Sequence, residues 1–363
     1  MAEGPRLCDL GEWELIRRLG AFAPPGQFHD DAALVPLDAP VGATGSLVVN
    51  TDVLVEGIHF SEATTGPEDV GWRAAAANLS DLAAMGCTEV VGLTVGLVAP
   101  PQTPWQWVEG VYEGLGEALR RHGGVLLGGD CSSGSQRLLA ITALGRLPGP
   151  QPPPGQSQGA IRRCDGRPGD VLVSTGPHGL SRLGLALLQN DPSLNAFEPD
   201  PDLRRRAIAA HRRPQPRLDV VKAVAACRPT GMPWRVGGCD SSDGLLAAVA
   251  AIARASGGSA RLEGEELPLD PAMALLPQAR SWCLGGGEDF ELVLALEPTW
   301  ANALIAALPT ARAFGVLVAT PAPETLIWSD GTPIETADMG FCHFSEPNGD
   351  GPRRNESQPT GRQ

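Results

Sequence analysis

The stretch VGWRAAAANLSDLAAMG (70–86), followed closely by VGLTVGLV (91–98), decides the fold class. Pro67 suits the first turn of a helix and Gly86 supplies a stop, so the spacing predicts one long helix between them. The Val/Leu/Gly run after it reads as a buried strand. Upstream, GEWELIRRLG (11–20) reads as a short amphipathic helix with Leu15, Ile16 and Leu19 on one side. Pro24, Pro25 and Gly26 break the chain before HDDAALV (29–35), and SLVVNTDV (46–53) reads as a strand ending in a polar loop. Downstream come a helix over about 104–122, a strand GVLLGGD (124–130) running into a glycine turn, and a strand LLAITALGRL (138–147). This alternation predicts an α/β layered domain.

PGPQPPPGQSQG (148–159) contains no apolar core-former and reads as a linker or exposed loop. Residues 1–147 are therefore expected to form one α/β domain, 148–160 the linker and 161–345 a second α/β domain. The second half shows a strand in GRPGDVLVSTG and helices around 179–190 and 217–227. CDSSDG then leads into an apolar helix, and GGGEDFELVLALE reads as a glycine loop entering a strand. Residues 346–363 have no core-forming pattern and are expected to be disordered.

Composition narrows the function. Lys and Arg total 28 against 42 Asp and Glu in 363 residues, a net charge of −14, which disfavours sequence-independent nucleic-acid binding. The 42% hydrophobic content argues against a wholly disordered chain. No apolar run approaches the roughly 18 residues of a membrane span. The start carries charges where a signal peptide needs an apolar stretch, so a cytoplasmic location is expected. Eight cysteines form no CxxC pair, which argues for free, mostly buried thiols and against a thiolate zinc site. Lys222 is the only lysine, so neither a P-loop lysine nor the strand lysine of protein kinases is available. A phosphate here would meet Arg, backbone amides or metal ions.

Carboxylates sit in Gly-rich or apolar surroundings at Asp30-Asp31, Asp52, Asp81, Asp130, Asp240/Asp243 and Glu288-Asp289. Carboxylates at strand ends can hold hard divalent cations, and Mg²⁺ shared with phosphates would replace the missing lysine. Asp243 precedes an apolar helix and could equally be its N-cap. Asp81 lies inside a helix, where a solvated face is the default, yet its neighbours look buried. STGPHG (174–179) opens a helix and could offer amides to a phosphate. His59 beside an apolar strand has an ordinary structural reading.

Taken in order, GEWELI, DDAALV, NTDVLVEGIHF, VGWRAAAANLSDLAAMG, GGDCSSG, RRCDGRPGDVLVSTG, DSSDGL and GGGEDFELV resemble the thiamine-monophosphate kinase family, within the aminoimidazole-ribonucleotide-synthetase-like superfamily. The resemblance covers about residues 11–344. It implies two α/β domains, a homodimer, ATP and thiamine monophosphate as substrates, and several Mg²⁺ ions. It assigns Asp31, Asn50, Thr51, Asp52, Asp81, Asp130, Asp240 and Asp243 to the metals. Tyr112, Gly129, Asp130, Arg163 and Ser242 match nucleotide contacts, and His59, Glu288 and Phe341 match acceptor contacts. The implied reaction uses no protein nucleophile.

The chain departs from the family pattern in several places. His29 stands where Gly usually precedes the acidic pair, and Asn50 stands for a common Thr. Ser241 replaces Ile, Leu180 replaces an Asp, and the 148–160 segment is longer and richer in Pro. Sibling synthetases fit less well. The chain lacks a DGVGTK-like segment, a Cys–Lys pair near the N-terminus and a terminal Cys. A non-catalytic nucleotide- or metal-binding relative is the alternative from another class, and lost metal ligands would mark it.

Overall fold

The computed structural model describes residues 7–23, 29–35, 46–148, 159–195, 197–319 and 325–335. Phe341, the 346–363 tail, the Pro24–Gly26 break and most of the Pro-rich 148–160 segment lie outside the described residues. The chain divides into two compact units, Met1–Gln27 with Cys342–Gln363, and Phe28–Phe341. In the first, helix α1 (Leu7–Leu19) carries Glu14, which accepts from Arg17 at 2.6 Å and Arg18 at 2.8 Å on an exposed face.

The second unit contains two sheets. The first is built from β1 (Ala33–Val35), β2 (Leu47–Val55), β3 (Glu89–Ala99), β4 (Val125–Ser133) and β5 (Leu138–Arg146). Helices α2 (Pro67–Ala84) and α3 (Trp105–His122) interleave with them. The strand order is β1-β2-β5-β3-β4. Only β3 and β4 run parallel, because α3 supplies the crossover that a parallel pair needs.

Two expectations need correcting here. β2 runs past Asp52 to Val55, so Asn50, Thr51 and Asp52 lie mid-strand and not at a loop. GGD likewise lies inside β4 and not in a turn, with Asp130 opposite Gly96. In both cases the ladder to a neighbouring strand outweighs the local turn signal.

The second sheet comprises β6 (Val171–Ser174), β7 (Gly237–Asp240), β8 (Ser259–Leu262), β9 (Leu292–Leu296), β10 (Arg312–Val318) and β11 (Leu326–Trp328). Its order is β11-β8-β10-β6-β9-β7, antiparallel except β11 beside β8. Around it stand α4 (Leu180–Gln189), α5 (Pro201–Arg212), α6 (Leu218–Ala226), α7 (Leu245–Ala255), α8 (Ala279–Gly285) and α9 (Pro298–Ala307). The sequence reading did not anticipate α5. Its charged face hides a buried line of Leu203, Ala207 and His211 at four-residue spacing, and Asp200 caps it by accepting from Asp202 and Leu203 amides at 2.9 Å.

Helix α2 is the shared element. Val70, Trp72, Ala74–Ala76, Leu79 and Leu82 pack into the core of the first sheet. Ala83 and Ala84 join a different core with Ile161, Val173, Val220 and Leu294 from the second half. A helix that is apolar nearly all round is one buried between two layers. Its approach to α3 is equally tight. A Cβ on Gly114 would collide with the Glu68 carbonyl, and one on Gly71 with the Val111 carbonyl. Gly114→Ala is therefore expected to lower stability by about 1–3 kcal/mol, as overpacking does. Urea unfolding of the pair checks this, and an unchanged midpoint would contradict the tight crossing.

Six cysteines among the described side chains are free. Cys87, Cys239 and Cys283 are buried, but Cys131 and Cys164 are exposed, so burial is less general than composition suggested.

Candidate active site

Three strands and α2 converge on one acidic cluster. Asp31 precedes β1, Asp81 lies on the last turns of α2, and Asp240 ends β7. Ligand oxygens of these three lie within 4.8 Å of one another. Only the folded chain assembles them, since β7 belongs to the second half. Asp52 shares the inward face of β2 with Asn50, as the two-residue period of a strand requires.

Burial dominates the electrostatics. It pushes the Asp31 carboxyl up to about 7; Arg163 opposes the shift and Asp240 adds to it. Burial also lifts Asp52 to about 6, helped by Asp240 and then Asp243. Asp81 is raised by burial and by Asp52, Asp240 and Asp31 together. Crowding carboxylates in a low-dielectric site opposes ionisation unless a cation joins them.

Neighbouring polar groups fix the cluster's shape. Asn50 Nδ2 donates to Asp81 Oδ2 at 2.6 Å and to Asn78 Oδ1 at 3.2 Å. Asn78 Oδ1 also accepts from the Asp52 amide at 3.2 Å, while its own Nδ2 donates to the Ala74 carbonyl. Ser80 Oγ donates to Asp240 Oδ2 at 2.7 Å across the two halves. Ser242 Oγ donates to Asp240 Oδ1 at 2.9 Å. Asn78 and Ser80 were missed as site residues. The signal was present, because two polar residues in a buried alanine-rich turn have no reason to be there without partners.

The remaining expected residues fall in different places. Thr51 points to the other face of β2, where its hydroxyl lies 2.9 Å from that of Thr142. Asp130 is exposed on β4 and stands outside the trio. Gly129 beside it admits no side chain, since a Cβ would strike the Val95 carbonyl. Tyr112 packs, partly buried, against the first core. Arg163 pairs with Asp31, and its amide donates to Asp30 Oδ1 at 2.9 Å. Asp243 does not cap α7; Gly244 occupies that position.

A second cluster lies around Glu288. Gly287, Glu288 and Phe290 all have left-handed backbones, with φ of 67°, 58° and 53°. Such a run of non-glycine strain marks a loop whose shape is imposed by its contacts. Between them Asp289 accepts from the Gly179 amide at 2.6 Å and the Ser181 amide at 2.9 Å. Of the amides that STGPHG offers, that of Gly179 is thus occupied by a carboxylate of the chain itself, and those of Thr175 and His178 by the Leu292 and Pro268 carbonyls. Glu288 Oε1 accepts from Arg73 Nη2 at 2.5 Å. His59 Nδ1 accepts from the Val55 amide at 3.0 Å, which places the proton of the neutral ring on Nε2. Ser241, the replacement for Ile, is satisfied by Glu291 O at 3.0 Å and by the fully buried His178 Nε2 at 3.0 Å.

Comparison with known proteins identifies the family. Residues 29–147 match the family model for the AIR synthase related protein, N-terminal domain. The chain is 46% identical over 339 residues to the thiamine-monophosphate kinase of Prochlorococcus marinus, covering 93% of this chain and 97% of that one. The chain belongs to the thiamine-monophosphate kinase family. The Synechococcus elongatus member is 47% identical over 342 residues, covering 93% of this chain and 98% of that one. A solved structure described as AaThiL complexed with AMPPCP and TMP superposes with a TM-score of 0.77 at 26% identity, covering 94% of this chain and all of that one. As a family member the chain is a kinase, with the mixed α/β fold of that group. Among the described residues no helix is long and apolar enough to cross a membrane.

Proposed function

We propose that this member of the family transfers the γ-phosphoryl group of ATP directly to the phosphate of thiamine monophosphate, assisted by several Mg²⁺ ions. The observation that carries the reading is the Asp31–Asp81–Asp240 trio joining both halves. Its donor set fits a hard divalent cation. All three groups offer carboxylate oxygens, and Asp31 Oδ2 and Asn50 Oδ1 are buried with no hydrogen-bond partner. Asp52, which both Asp240 and Asp243 influence, and Asp243 are added to the set, and Asp130 and Thr51 are assigned to it by resemblance. Mg²⁺ bound there would neutralise the phosphates and suppress the repulsion between donor and acceptor.

The protein's part is positioning. Asp31, Asp81 and Asp240 arrive from separate segments, so domain-scale folding sets their spacing. Ser80, Asn78 and Asn50 hold the carboxylates in place. Arg163, Tyr112, Gly129 and Ser242 are assigned to the nucleotide, and His59, Glu288 and Phe341 to the acceptor. In the transfer, the bond between the γ-phosphorus and the bridging oxygen of ADP breaks as a bond to an acceptor phosphate oxygen forms. The acceptor is ionised near neutral pH, so no general base is needed. Products are ADP and thiamine diphosphate, with no phospho-enzyme.

The two sheets of the Phe28–Phe341 unit, one from each half of the chain, act as the walls of this site. A homodimer is part of the reading. It is supported by the exposed β4 edge, where Val125, Leu126 and Leu127 are 59%, 46% and 47% accessible. A cytoplasmic location, with access to both soluble substrates, completes it.

The test is product formation from ATP and Mg²⁺ with thiamine monophosphate and free thiamine in parallel. Thiamine diphosphate from the monophosphate alone is expected. No product from either, with ATP still bound, would overturn the reading in favour of a sibling synthetase or a binding-only relative.

A further inference from the structure

The guanidinium of Arg73 touches two residues assigned separately to the acceptor. Nη2 donates to Glu288 Oε1 at 2.5 Å and to the His59 carbonyl at 3.2 Å. Nη1 donates to the His211 carbonyl. These partners come from the β2–α2 connection, α5 and the strained Gly287–Phe290 loop, while Arg73 itself lies on α2. The Arg73 side chain is only 4% exposed, and its Nε is buried without a partner. Glu288 is a third exposed, with its second oxygen 3.7 Å from His211 Nδ1. Burial, then Arg73 and Arg212, pushes His211 down to about 3, so the imidazole is neutral at working pH. Arg73 is therefore the cation that faces Glu288 in this cluster.

We propose that Arg73 is a positioning residue for the acceptor side of the reaction, fixing Glu288 and the His59 main chain in one geometry. The inference rests on the reading that His59 and Glu288 contact thiamine monophosphate. A buried cation is retained only where its partners are fixed, since desolvation opposes it otherwise. Arg suits the place because one planar fork serves three oxygens, which a single ammonium on a flexible stem does not. Among the described residues no hydrogen bond or ion pair of Arg73 reaches the carboxylate trio, so its influence is expected on one substrate and not on both.

The experiment compares Arg73→Lys, Arg73→Gln and Glu288→Gln in the full-length enzyme, with KM measured separately for thiamine monophosphate and ATP. Melting curves confirm that each variant is folded. Arg73→Gln is expected to raise KM for thiamine monophosphate by about tenfold or more, with KM for ATP within about twofold. Arg73→Lys keeps the buried charge and is the readable variant if Arg73→Gln does not fold. It is expected to show a smaller rise on the same substrate. Equal rises for both substrates, or no rise in either folded variant, would overturn the proposal. If Glu288→Gln leaves KM for thiamine monophosphate unchanged, the assignment of Glu288 to the acceptor fails and the inference falls with it. If Glu288→Gln raises that KM and the Arg73 variants do not, Arg73 alone is misplaced.

Discussion

Asp240→Asn and Asp52→Asn are each expected to lower turnover by at least about a hundredfold while leaving the metal-free fold at least as stable as the parent. The two halves of that result have one cause. Asp240 lies among Asp31, Asp52 and Asp81, and it raises the pKa of all three. Asp52 is lifted by burial first, and then by Asp240 and Asp243. Neutralising either carboxylate relieves repulsion in the empty cluster, which favours the folded chain. The same change removes an anionic oxygen from the set that would hold the cation. Ser80 and Ser242 donate to different oxygens of Asp240; asparagine keeps an acceptor for one, and its NH2 donates to the other hydroxyl once that hydroxyl rotates, so the local shape survives. Turnover is measured with Mg²⁺ present, and melting temperature in chelator. Full activity in both variants would sink the cluster assignment. A melting temperature well below the parent's would show that these carboxylates stabilise the fold instead.

The second large effect is on pH. With a chelator present, stability should fall as pH rises from the ordinary carboxylate range to about 7, through the window set by Asp52 at about 6 and Asp31 at about 7. Within that window the folded chain holds protons that the unfolded chain has released, so raising the pH draws it toward unfolding. Buried His178, pushed down to about 4, works in the opposite direction between that value and 6.5. The informative quantity is therefore the difference made by Mg²⁺. Cation binding needs the ionised carboxylates, so the rise in melting temperature on adding Mg²⁺ should be larger at pH 8 than at pH 5. At about a hundredfold excess over Kd the stabilisation amounts to about 2.7 kcal/mol. An equal Mg²⁺ shift at both pH values would contradict the model of a proton-linked carboxylate site.

Much of this site was legible from the chain. Asp81 stood out because a charge within AAAANLSDLAAM has apolar neighbours on both sides; it is half-buried, with a carboxylate oxygen within 4.8 Å of one of Asp240. The ordering of the acidic segments carried the family resemblance. What stayed hidden was set by long-range packing. The glycine turn expected in GGD is overridden by the β3–β4 ladder. The cap role open to Asp243 goes to Gly244. The Gly179 amide at the end of STGPHG meets Asp289, 110 positions away, a pairing that no local pattern encodes. Arg73 is the clearest case. In the sequence it is one arginine in a helix, and its partners come from three other segments.

Helix α2 also fixes an order of events during synthesis. Glu288 leaves the ribosome 215 residues after Arg73, and Asp240 leaves 160 residues after Ser80. At bacterial or eukaryotic elongation rates of about 5–20 residues per second, the first interval lasts about 10–40 s. For that time the nascent first half can close its own core on one side of α2. The opposite side, with a cation and a serine destined for burial, has no mate. The Arg73–Glu288 pair and the Ser80–Asp240 contact are therefore completed only after most of the chain has been made, both against a helix made near the start.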